Sequence, residues 1–218
     1  MKSLLLATIN LSLFQQSSVN PFNLTVEDDM KSIIIKLLLL STTSLFFACS
    51  SPIKHVIVSP DLQISSSNIY QQKQVQLRFS DVRSAKHIVQ ILRIGEATEL
   101  YPPQQPIVNI VEKSLTSAFT ASGLQVRTQA VNQVEVIIDN ALVNVQQELV
   151  KYSASNQINF RVLINNGEGT LTKSFKISAS NIGALKADIA VLERDFNQQL
   201  AKLLTQIVQS KELQQFIH

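Results

Sequence analysis

Apolar positions follow two different periods along this chain, and the switches between them mark its elements. From Gln74 to Ser80, Val75, Leu77 and Phe79 alternate with Gln76 and Arg78, the period-two signature of a strand with one buried face. Ile88 to Ile94 reads as a second strand, ending at Gly95. Tyr101-Pro102-Pro103-Gln104-Gln105-Pro106 is a turn, and Pro106 suits the first turn of a helix, where a missing N–H costs nothing. That helix runs to about Ser122: Ile107, Val111, Leu115, Ala118 and Phe119 form its buried stripe, and Gly123 is a fitting C-terminal cap. Leu124 to Arg127 follows as a short strand.

Gln133 to Leu149 reads as a long strand region in which Val134, Val136 and Ile138 face one way. Beyond Asp139-Asn140 the alternation resumes at Val143 and Val145, shifted by one place, which predicts a bulge or bend. Ile158, Phe160, Val162 and Ile164 give the cleanest alternation in the chain. Asn165-Asn166-Gly167-Glu168-Gly169 then predicts a hairpin turn, with Leu171, Phe175 and Ile177 on the partner strand. A long helix from about Lys186 to Ser210 comes last, with Ile189, Leu192, Phe196, Leu200, Leu203 and Ile207 at helical spacing; Lys211 to Ile217 continues it as a short helical tail.

This order predicts an α+β fold. A meander of antiparallel strands of mixed length forms the sheet, and two amphipathic helices packed on one face bury that side of it. The domain is expected to span residues 74–218. The stretch before it, from Ser50 to Lys73, is rich in Ser, Gln and Pro with one apolar run at Val56-Ile57-Val58, and reads as a tether carrying at most one strand.

Upstream of the tether the pattern changes character. Lys31 and Lys36 bracket Ile33-Ile34-Ile35, and an apolar run from Leu37 to Ala48 ends at Cys49, the chain's one cysteine. A basic start, a short apolar stretch and a small residue before the cleavage point make a signal peptide. The run is about a dozen residues, against the roughly 20 a spanning helix needs. Cleavage is expected between Ala48 and Cys49, with the lipid attached to Cys49. Phe46 and Phe47 are bulkier than the usual lipoprotein processing motif, and Leu45 stands one place too early. Met30, directly before Lys31, reads as the true start, which makes residues 1–29 an upstream extension.

The charge is mildly positive, +3 overall and +3 from Cys49 onwards, where there is no basic run and no acidic tail. Nucleic-acid binding calls for a stripe of Lys and Arg, and none is visible. Of three histidines, His55 lies in the tether, His87 near a turn and His218 at the chain end. Clustered Cys, His and carboxylates for a metal are missing, as is a Gly-rich phosphate loop, so neither a metal nor a cofactor is expected. No nucleophile stands with a base and an orienting group, so the chain is not expected to be an enzyme. Asp81 and Arg83, just after the first strand, are the marked charged pair. A local ion pair closing the strand end outweighs a ligand site there.

Several of these features together resemble the YajG-type lipoproteins, small proteins of Gram-negative bacteria. They are Cys49 after its signal, Asp81-Val82-Arg83, Ile94-Gly95, the helix ending at Gly123, Asn140-Ala141-Leu142, Leu171-Thr172-Lys173-Ser174-Phe175, Leu192-Glu193, and Asn197 to Leu204. The resemblance spans about Val56 to Ile217. It implies exposure to the periplasm from a membrane anchor, and imports no catalytic mechanism. Ser50 after the cysteine, in place of the Asp that retains enteric lipoproteins in the inner membrane, implies the outer membrane. The expected role is a non-catalytic envelope lipoprotein that binds a protein partner or supports outer-membrane or cell-wall assembly. The alternative is a small-ligand binder, for a lipid or wall fragment held between sheet and helices. The mature N-terminus is expected to be an acylated Cys49, and Cys49→Ser to leave an uncleaved, mislocalised precursor. Mass spectrometry of the mature protein checks this; a free terminus elsewhere removes the lipoprotein anchor.

Overall fold

A computed structural model of the chain describes residues 54–217. The sheet is organised by its longest strand, β5 (Asn132–Gln147). On one edge β5 pairs antiparallel with β6 (Lys151–Asn165), which pairs antiparallel with β7 (Thr170–Ala184). On the other edge two short strands lie end to end. β1 (Gln74–Asp81) pairs with the first half of β5 and β2 (Val89–Arg93) with the second half, both in parallel. β3 (Glu99–Tyr101) adds antiparallel to β2, and β4 (Gln125–Val126) parallel to β1, making seven strands among the described residues.

The α+β class holds, but the sheet is mixed, which corrects the expected antiparallel meander. The reason is tertiary. β1 and β2 are neighbours in sequence yet do not pair with each other, because each takes a different stretch of the same β5 edge. A parallel partner needs a long crossover. Helix α1 (Ile107–Ala121) lies in the crossover that returns the chain to β4 and β5.

Helices α1 and α2 (Ile189–Val208) divide the covered face between them. α1 lies against β1 and β4, α2 against β6 and β7, and they touch each other. The buried stripe of α1 is Ile107, Val111, Leu115, Ala118 and Phe119, as its 3.6-residue spacing requires. The α2 stripe runs from Leu192 through Phe196 and Leu200 to Val208. The Asp188 carboxylate caps α2 by accepting from the Ala190 N–H at 2.9 Å. Short α3 (Lys211–Phe216) follows, with Leu213 buried. Against these helices β6 turns Ile158, Phe160, Val162 and Ile164, all fully buried. β6 and β7 also run well past their apolar stretches. The inner face of β6 continues through Asn156, Ala154 and Tyr152, too polar and small to announce a strand.

The stretch 54–73, expected as a tether, is part of the domain. Val56 and Tyr70 are fully buried. Val56 makes a parallel bridge with Pro103, accepted by no long strand, so the sequence around it lacks an extended alternation. Side chains of α2 bond its backbone instead: Glu193 accepts from the Ile57 N–H, and Asn197 accepts from the Ser59 N–H, both at 2.8 Å, while the Asn197 amide donates to the Ile57 carbonyl at 2.9 Å. The Tyr70 hydroxyl donates to the Val208 carbonyl at 2.8 Å, in the last turn of α2 where carbonyls lack helical partners. Gly123 closes α1 at φ +86°, and a Cβ there would stand 2.4 Å from the Asn68 side chain, so glycine is required both by conformation and by the approach of this stretch.

The predicted bulge is present: the β5–β6 register shifts between Ile138 and Asn140. Ile138 and Ala141 consequently both face the core, opposite Phe160 and Ile158. Two arginines hold this irregularity. Arg161 on β6 donates twice to the Asp139 carboxylate, at 2.7 Å each. Arg83, almost wholly buried, sits where β1 leaves β5 and before β2 takes over. It donates to both Asp81 oxygens at 3.0 Å and to the Ala141 carbonyl at 3.3 Å. Burial of the Asp81 carboxyl pushes its pKa up, but the side-chain and backbone hydrogen bonds from Arg83 and the charges of Arg83 and Lys86 outweigh this and hold it below the ordinary value.

The two clamps differ in burial, and their mutants are expected to differ accordingly. Arg83→Ala leaves a carboxylate and a strand-break carbonyl without their partner and is expected to cost about 3 kcal/mol. Arg161, whose side chain is 44% exposed and whose ion pair is screened by solvent, is expected to cost clearly less as Ala. Because the native Asp81 pKa is lowered, its contribution is complete above the ordinary Asp value and is lost as pH falls through the native one. The acid-side loss of stability is therefore expected to shrink in Arg83→Ala. Equilibrium denaturant unfolding at neutral and acid pH reads all three; equal costs for the two arginines would contradict the assignment.

Candidate functional site

The residues marked in the sequence fall in different places. Ala48 and Cys49 lie outside the described residues, as does His218. Asp81 and Arg83 are brought together, as described, and their side chains are only 16% and 3% exposed, with their hydrogen bonds spent on each other and on the strand break. His87 is bonded through Nε2 to the Gln90 side-chain oxygen at 3.0 Å. No group of three or more His, Cys, Asp and Glu that could hold a metal occurs among the described residues. Tyr101, expected in the proline-rich turn, ends β3 and is buried with its hydroxyl on Glu99 at 2.5 Å, and Arg93 also donates to Glu99. Burial and that hydrogen bond push the Tyr101 hydroxyl up to about 12, while the bonds from Tyr101 and Arg93 hold the Glu99 carboxyl down. This trio braces β3 against the end of β2.

The site the sequence did not reveal is a groove beside α1. The segment 57–64 runs over the flank of the helix, and between them lies an open cavity of about 570 Å³. Ile57, Leu62 and Ile64 form one wall; Ile110 with Asn109, Ser114 and Ser117 form the other. A second hollow of about 760 Å³ lies on the exposed face of α1. Both share Asn109, Lys113, Ser117 and Ala121, residues about one helical turn apart. The two hollows thus adjoin along a single helical row. Asn109, Lys113 and Ser117 on that row are polar and exposed, while the buried stripe of α1 points to the sheet. Its spacing was visible in the sequence, but the opposite wall belongs to the stretch expected as a tether.

The layer between sheet and helices, where the small-ligand alternative places its pocket, is filled by large side chains. Phe119, Phe160 and Phe196 are buried within it, and the Tyr70 ring packs edge-on against Phe119 at 5.6 Å. Among the described residues no helix is long and apolar enough to cross a membrane.

Comparison with known proteins adds a family and a fold. No curated protein matches the chain. The crystal structure of a protein from Xanthomonas campestris superposes with a TM-score of 0.51 at 14% identity, covering 73% of this chain and 95% of that one, a likeness of fold alone. A homolog of neuraminyllactose-binding hemagglutinin from Helicobacter pylori reaches a TM-score of 0.39 at 11% identity, over 72% of this chain and 93% of that one, too low to carry an argument. The family model described as an uncharacterized lipoprotein matches residues 60–218, which hold the seven described strands and three described helices, and the chain belongs to this YajG-type lipoprotein family.

Proposed function

We propose that this protein is a non-catalytic lipoprotein of the bacterial envelope, held on the periplasmic face of the outer membrane by an acylated Cys49, whose domain receives an extended segment of a protein partner along α1. The observation that carries the second half is the groove between 57–64 and α1, open to solvent and continuous with the neighbouring hollow on the helix. Its apolar wall of Ile57, Leu62 and Ile64 supplies contact area, and Asn109, Lys113, Ser114 and Ser117 supply donors and acceptors for a peptide backbone. An elongated, mixed surface of this kind suits a chain segment better than a compact molecule. Family membership supports the anchor, since the family is one of lipoproteins.

The small-ligand alternative retains one supporting observation. A cavity of about 570 Å³ lies within the range of roughly 300–1,000 Å³ typical of ligand sites, and its Ile57, Leu62, Ile64 and Ile110 side chains would suit an acyl chain. Such a ligand would lie beside α1 rather than between the layers.

A photo-crosslinking amino acid at Ser117, in cells making the full chain, is expected to give a reproducible protein adduct. The same probe at Lys176, exposed on β7, is expected to give none. Equal adducts at both positions, or none at Ser117, would sink the partner reading. A bound small molecule seen by native mass spectrometry in place of a protein adduct would favour the alternative.

A further inference from the structure

Isolated exposed aliphatic residues are ordinary on protein surfaces, but clustered ones are not. Five gather at one end of this sheet. Ile94 follows β2, Leu149 and Val150 form the β5–β6 turn, and Ile182 and Leu185 lie at the end of β7. Ile94 and Leu149 are each 99% exposed; Ile182, Val150 and Leu185 are 69–74% exposed. The pairings Arg93 with Gln147 and Lys151 with Ala184 place these strand ends side by side. Ile94, Leu149, Val150 and Leu185 line a common hollow of about 870 Å³.

The backbone under this apolar tip is firmly built. Leu185 adopts φ +62°, uncommon for a residue with a side chain. Its N–H donates to the Val150 carbonyl at 2.8 Å, and its own carbonyl accepts from the Gln147 amide at 2.8 Å. The same amide donates to the carbonyls of Glu148 and Lys151, and its oxygen accepts from the Ala187 N–H. One glutamine thus ties the β5–β6 turn to the end of β7 and leaves the aliphatic side chains pointing at solvent.

Charge and chain direction identify the occupant. The flanking cations Arg93, Lys151 and Lys186 are matched by Glu96, Glu99 and Glu148, and the ion pairs Arg93–Glu96 and Lys151–Glu148 hold at 3.3 and 3.6 Å. The rim is neutral, so attraction must come from apolar area. Val56 bridges Pro103 in parallel, so, followed backwards, the chain at Lys54 heads along β3 from Tyr101 towards Glu99 and the turn that carries Ile94. From Lys54 to Cys49 is five residues, a reach of at most roughly 18 Å. An anchor at Cys49 would therefore lie no farther than that from Lys54.

We propose that the apolar tip formed by Ile94, Leu149, Val150, Ile182 and Leu185 inserts into the lipid bilayer that carries the anchor, as a second, non-covalent membrane contact that fixes how the domain stands. This rests on the anchored-lipoprotein reading above. The aliphatic side chains take the depth of the headgroup–acyl boundary, and the neutral rim stays among the headgroups. The groove beside α1 is not part of the inserted surface.

The full chain, processed in cells and purified from membranes, is reconstituted in phosphatidylethanolamine–phosphatidylglycerol vesicles. An environment-sensitive fluorescent amino acid is placed at Leu149 or, as a control, at Val131, exposed just before the opposite end of β5. Leu149 is almost fully exposed, so the replacement removes no packing. The Leu149 probe is expected to shift to the blue and lose most of its emission to spin-labelled lipid, while the Val131 probe does neither. Ile94→Ser is expected to weaken the Leu149 quenching, and salt at about 0.5 M to leave it unchanged because the rim is neutral. No lipid quenching at Leu149, or equal quenching at both positions, overturns the proposal. Shielding of Leu149 from aqueous iodide without lipid quenching overturns it in favour of a protein contact. The mass of the N-terminal peptide in the same preparation reads the anchor separately. An unacylated terminus removes the anchor while the Leu149 result stands, and an acylated terminus with an unquenched tip removes the tip while the anchor stands.

Discussion

The structure depends on the bulge at Asp139. A 16-residue strand kept in strict alternation would present one uninterrupted edge. By inserting one residue, β5 bends there while keeping Ile138 and Ala141 on the core side. The break in the ladder is where β1 departs and, a few residues on, β2 arrives, so one edge serves two strands. Three polar groups at the break find partners. The Val82 N–H donates to the Ile138 carbonyl, Arg83 covers the Ala141 carbonyl, and Arg161 holds Asp139 from β6. The two arginines do different work. Arg83 is sealed inside, where an unpaired carboxylate or carbonyl is expensive; Arg161 is on a wetter side, where its pair steers geometry more than it adds stability.

Much of this was legible in the sequence where it depended on local pattern. The phase slip after Ile138 announced the bulge, and the stripes of α1 and α2 announced the faces that pack. What was not legible depended on distant partners. Parallel pairing of β1 and β2 to β5 leaves no mark on either short strand, because alternation looks the same in both directions. The inner face of β6 passes from Ile158 to Asn156 and Ala154, and no hydropathy pattern says that such a run stays in the sheet. Asp81 and Arg83 were visible as charges two residues apart, but not that they straddle a strand break.

The stretch 54–73 shows the same limit in its strongest form. Its Ser, Gln and Pro content describes a linker, and composition alone would leave it in water. Its backbone nevertheless finds Glu193 and Asn197 on α2, and its one tyrosine reaches the C-terminal end of the same helix at Val208. These partners are polar side chains on a helix otherwise read for its apolar stripe. The groove beside α1 was hidden for the same reason, since half of it is built from this stretch.

Docking of that stretch changes what an anchored domain can do. A free linker from Cys49 to Lys73 would reach roughly 80 Å, enough to carry the domain far from a membrane. With the chain docked from Val56 onwards, the residues between there and Cys49 can span at most roughly 25 Å. On the anchored reading proposed above, a domain on so short a lead has few ways to stand. A partner that fits the α1 groove would then meet it at a nearly fixed height and orientation. That removes much of the rotational freedom that association would otherwise cost, and lets a modest contact area suffice.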